Sequence, residues 1–169
     1  MGKIRSTLDI VMERTKGLSM TQEDKGRLKA KELADQAKAW AQRYFDAKMS
    51  IREIQSEIQA CGEGKDELLK ALMAEFVSGL APDQDNARII DAFEAVWGAD
   101  RAKVLDAIRD REEGLHRDMS ARIDQLGAEL AAQGIGGNSV IPNIAVDTAW
   151  QATLLQARKD LQEEVGRLL

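Results

Sequence analysis

A single histidine, His116, and a single cysteine, Cys61, set the limits on the chemistry open to this chain. Metal sites and nucleophile–base relays that need two imidazoles from one chain are excluded, which leaves carboxylate-rich schemes. Glu113-Gly-Leu-His116 has the E-x-x-H spacing of di-iron helical bundles, where residues three apart lie on adjacent turns of one helix face. Helical geometry argues against that use. At about 100° per residue with Leu115 at zero, the apolar seam of Ile108, Met119, Leu126 and Leu130 centres near roughly 40°, and Glu113 falls at about 160°, towards water. Glu112, at about 60°, lies in the seam one turn below His116, at about 100°. The pattern therefore predicts Glu112 and His116 as a satisfied, partly buried polar pair, with no metal and no cofactor.

Other arrangements carry less. No serine or threonine lies near the histidine in sequence, and the paired carboxylates Glu112–Glu113 and Glu163–Glu164 sit among basic residues, as surface charge does. Cys61 continues the stripe Ile51, Ile54, Ile58, which makes it a buried and inert thiol. Gly134, Gly136 and Gly137 follow a helix and lead into a stretch without lysine or arginine, whereas phosphate-cradling loops follow a strand and open a helix. The stretch Ser50 to Phe76 has a helix, a glycine-containing break and a second helix, the outline of a helix-turn-helix DNA-binding regulator. Its connection, Ala60 to Lys65, is too long, and Asp66 and Glu67 would face phosphates. No residue is assigned a catalytic role, and the reading is that of a protein that is not an enzyme.

The elements that hold these residues follow from composition and period. With 44% hydrophobic and 31% charged residues, a chain of 169 residues has enough apolar surface to offset its ordering entropy in one helical domain. Its net charge of -5 gives no general attraction to nucleic acid or an anionic bilayer. Met1 to Thr15 contains five charged groups and no apolar run, so neither a signal peptide nor a membrane span is expected, and the lone cysteine suits a reducing, cytoplasmic setting. Gly2 and Ser6 match the short myristoylation pattern, which a charged amino terminus meets by chance.

Apolar residues recur at helical spacing, which predicts an all-α chain: an elongated helical bundle or long helical hairpin. A first helix is capped by Ser6 and carries Leu8, Val11 and Met12 before Gly17. Thr21 caps a second, with Leu33, Ala37, Trp40, Ala41, Tyr44 and Phe45 towards the core. Ser50 and Glu53 form a capping box for a third. A greasy helix from Lys65 to Leu80 belongs at the centre, and Asp85 caps a short helix that ends at Gly98. Residues 99–169 then hold a long helix from Arg101 to about Gln133, with a seam that includes Leu105, an uncharged strap, and a last helix from about Thr148 to Leu168 returning antiparallel.

The strap, GIGGNSVIPNIAV from Gly134 to Val146, has no charged side chain in a chain nearly one-third charged. Flexible linkers are polar, whereas this stretch holds Ile135, Val140, Ile141, Ile144 and Val146, so it is expected to be ordered, with those side chains buried on its own bundle or against another chain. The long helix needs cover over about 30 residues and the last helix offers only about 20, which predicts a dimer or larger homo-oligomer. KIRSTLDIVMERT at the start, together with GIGGNSVIPNIAVDTAW, resembles a family of small, helical, uncharacterised bacterial proteins over about a fifth of the chain. The resemblance implies a bacterial cytoplasmic protein and carries no functional residue over. The expected function is that of a helical interaction or scaffold protein, the alternative being a bundle that binds a small molecule or metal in a cavity.

Overall fold

A computed structural model describes residues 21–137 and 139–169, and the amino-terminal helix expected from Ser6 to Gly17 lies outside them. The described residues form an all-α bundle of six helices: α1 (Gln22–Phe45), α2 (Ile51–Ala60), α3 (Lys65–Gly79), α4 (Ala87–Trp97), α5 (Arg101–Ala132) and α6 (Thr148–Leu168), with a 3₁₀ turn at Ile144–Val146 before the last. Local chemistry sets most boundaries. Thr21 with Asp24 and Ser50 with Glu53 make reciprocal capping boxes that satisfy orphan N–H groups at the starts of α1 and α2. Asp100 caps α5 by accepting from the N–H groups of Ala102 and Lys103. At α4 the N-cap position belongs to Asn86 rather than Asp85, although the Asp85 carboxylate still accepts from the Ala87 N–H at 2.9 Å.

The α3 helix is the centre of the core, with Leu68, Leu72 and Phe76 fully buried. It runs parallel to α1, since Gly64 before α3 meets Leu33 in the middle of α1 and Gly79 at its end meets Phe45 at the end of α1. It also touches α2, α4 and α6. Phe76 collects the aromatic side chains, with Tyr44, Phe45, Phe93 and Trp97 all within 6.5 Å between ring centroids, in tilted and edge-on contacts. Side chains from neighbours satisfy the carbonyls at helix ends. Arg158 and Gln162 of α6 donate to Ser78 O, Gln162 also to Leu80 O, and Gln55 of α2 donates to Ala95 O.

The α5 and α6 helices form the long antiparallel hairpin. Near its base Val104, Ala107 and Ile108 of α5 and Leu161 and Val165 of α6 join the main core. Leu105, expected in the seam, is exposed, because the bundle is met by the face that carries Val104 and Ala107. Further out a second, smaller cluster holds Leu115, Trp150 and Ala157, with Met119, Ile144 and Leu154 packed against it. There the helical pairing stops. Arg122 is bonded to Asp147, immediately before α6, so among the described residues the last ten of α5 run on with only the strap beside them, and Ile123, Leu126 and Leu130 stay half-buried.

Candidate functional site

The outer end of the hairpin brings together the residues the sequence singled out. Its fixed point is Asp147. The Oδ1 atom accepts from Trp150 N at 2.8 Å and so caps α6, while Oδ1 and Oδ2 accept from Arg122 Nε and Nη2 at 2.9 and 2.7 Å in a two-pronged pair. The pair is well covered, its side chains keeping 12% and 20% of their exposure. Arg122 also donates to Glu129 at 3.3 Å. Hydrogen bonds from Arg122 and from the Trp150 N–H hold the Asp147 carboxyl down to about 2.

From this point the strap is braced at both ends. Its start is a left-handed turn at Gly134, φ 79°, where Ile135 N donates to Leu130 O and Gly134 N to Ala131 O, both at 3.0 Å; this is the Schellman arrangement that closes α5. At its end Asn143 Oδ1 accepts from Ala145 N, Gln151 Nε2 donates to Ala145 O, and Asp147 N donates to Ile144 O.

The expectation that the strap buries its aliphatic side chains within this chain is corrected by the structure. Ile141 keeps 86% of its accessible surface, Val146 70% and Ile135 49%, and Val140 is exposed as well. Ile144 alone among the five packs inward, against the Leu115 and Trp150 cluster. The physical reason is geometric: α6 begins too far back along α5 to give the strap a second wall.

Glu112 and His116 also depart from the predicted pair. His116 is exposed, and its Nδ1 meets the backbone carbonyl of Glu112 at 3.0 Å rather than the carboxylate. Both residues border a groove of about 470 Å³ between α5, α6 and the α3–α4 loop. Leu115, Met119, Trp150 and Leu154 line its floor, and Asp83, Asp85 and Glu112 its rim. The loop wall is fixed by buried Asn86, whose amide accepts from Ala81 N and donates to Ala81 O and Gln84 O. Sequence reasoning missed this groove, since its walls come from three separate stretches; the acidic run Asp83, Asp85 after Pro82 was the only trace of it.

A second groove of about 530 Å³ on the opposite side of the hairpin is polar, and Arg111 bridges it to Asp160 and Glu164. Among the described residues there is no group of three or more His, Cys, Asp or Glu side chains placed to hold a metal ion, and no helix long and apolar enough to cross a membrane. No protein-family model, curated protein or solved structure matches the chain.

Proposed function

We propose that this chain is a non-enzymatic interaction protein of the cytoplasm that works as a homo-oligomer, with the braced strap at the end of the α5–α6 hairpin as its contact surface. The observation that carries this reading is the combination of order and exposure: a backbone tied down by Asn143, Asp147 and the Gly134 turn presents Ile135, Ile141 and Val146 to solvent. Exposed β-branched residues on a fixed backbone lose little freedom on docking, and each fully covered one contributes roughly 1.5–3 kcal/mol. The half-buried Ile123, Leu126 and Leu130 of α5 extend the same end of the hairpin.

Charge supports a second copy at this place. Two chains of net charge -5 repel, and an uncharged stretch from Gly134 to Val146 at the tip of a projecting hairpin brings them together where that repulsion is smallest. Light scattering at micromolar concentration tests the reading. The wild-type chain should show at least twice its 18.7 kDa mass, and Ile141→Asp combined with Val146→Asp should lower that mass with helical content unchanged. A wild-type species of 18.7 kDa throughout overturns it.

A further inference from the structure

The groove between α5, α6 and the α3–α4 loop has an apolar floor and an acidic rim. Asp83, Asp85 and Glu112 form no ion pair among the described residues, because the nearby arginines are engaged elsewhere: Arg101 with Asp91 and Glu94, Arg109 with Asp106. Charge divides unevenly along the chain. Residues 1–20 hold Lys3, Arg5, Arg14 and Lys16 against Asp9 and Glu13, a net +2, so residues 21–169 carry -7 of the total -5.

We propose that the groove is the docking site for the basic stretch Lys3–Lys16 of a second copy of the chain. That stretch combines the two features the groove asks for. Leu8, Val11 and Met12 share one face at helical spacing, and Arg5 and Lys16 border that face at about 100° per residue. An apolar stripe with cations on its edge matches Leu115, Met119 and Leu154 flanked by Asp83, Asp85 and Glu112.

A second copy supplies the stretch because the chain's own copy starts from the wrong end. Thr21 starts α1 about 18 Å before Leu33, where Gly64 at the start of α3 packs, and α1 is about 36 Å long, whereas the groove opens beyond Leu80 at the other end of α3. With Ser6 to Gly17 read as a helix, the four residues from Leu18 to Thr21 span at most about 14 Å.

Photo-cross-linking in the full-length chain tests this. Benzoylphenylalanine in place of Leu8 inserts preferentially into methionine C–H bonds, and Met119 lines the groove. Irradiation of an equilibrated mixture of ¹⁴N- and ¹⁵N-labelled chains should give cross-links to peptides containing Met119 or Leu154, with mixed-isotope pairs among them. Asp83→Lys with Asp85→Lys should lower the yield about tenfold, while the matched reversal Asp66→Lys with Glu67→Lys, at the far end of α3, should change it less than about twofold. Strap variants that dissolve the tip contact should leave the cross-link in place, so the two surfaces fail separately. Cross-links spread over other helices, pairs of one isotope only, or equal losses in both charge reversals each overturn the proposal, and the wild-type map decides even where a variant does not fold.

Discussion

Asp147 shows how much one side chain can fix. Its carboxylate is at once the N-cap of α6 and the partner of Arg122 on α5, so it sets where the hairpin closes and where the strap is released. Because its folded-state pKa is depressed, to about 2, its contribution is fully present above the unfolded value near 3.8 and is lost as pH falls through that window. Thermal melts between pH 5 and pH 2 should therefore show the wild type losing stability over this range more steeply than Asp147→Asn, which keeps a capping oxygen but no charge. Equal pH profiles would show that the pair contributes nothing. Gly79 makes the opposite point about a residue chosen for what it lacks. A Cβ there would lie 2.9 Å from Phe45 Cζ and 3.2 Å from Ile89 Cδ1. Overpacking costs about 1–3 kcal/mol against a helix-propensity gain of about 1 kcal/mol. Gly79→Ala should thus lower stability in denaturant unfolding, and a rise would mean that the Phe45 ring moves aside freely.

Helices are the level at which the sequence was most legible, because caps and periodicity act within a few residues. The caps at Thr21 and Ser50 and the apolar stripes of α1, α2 and α3 stand where the spacing put them. Ser50→Ala should cost about 1 kcal/mol in unfolding experiments, the ordinary worth of a cap, and Phe76→Ala about 3–5 kcal/mol, since Phe76 meets four other rings. A Phe76→Ala effect below that of the cap would contradict the central place of α3. The face of α5 was harder to read. Leu105 and Val104 are both apolar, and the choice between them depends on where α4 and α6 lie, which no window of α5 records.

At the scale of the whole molecule the fold is a compact set of helices with one arm projecting from it. The main core draws on α1 to α6, while the arm beyond Leu115 rests on the small cluster of Leu115, Trp150 and Ala157. Fewer buried contacts make the arm the part that opens first, so amide exchange should be faster in residues 120–135 than in α3. Raising the oligomer concentration should slow exchange at Ile135, Ile141 and Val146 if they cover one another between copies, whereas concentration-independent rates there would count against the strap as the contact surface.

The sequence by itself determined the helical class, the caps at Thr21 and Ser50, the central place of α3, the long α5 and the uncharged character of the strap, since each is written in local spacing and composition. Only the tertiary structure decided where the strap's side chains point. Burial of Ile141 and Val146 depends on a second wall, and the Arg122–Asp147 pair starts α6 too far back to provide one. The groove was decided in the same way. Asp83, Asp85 and Glu112 are unremarkable surface acids in sequence, and become a rim only when the α3–α4 loop, held by Asn86, is set against Leu115 and Leu154. Glu112 and His116 are the same case in small. Helical phase placed them one turn apart, but His116 stayed exposed on its own helix's carbonyl because no helix among the described residues covers that face.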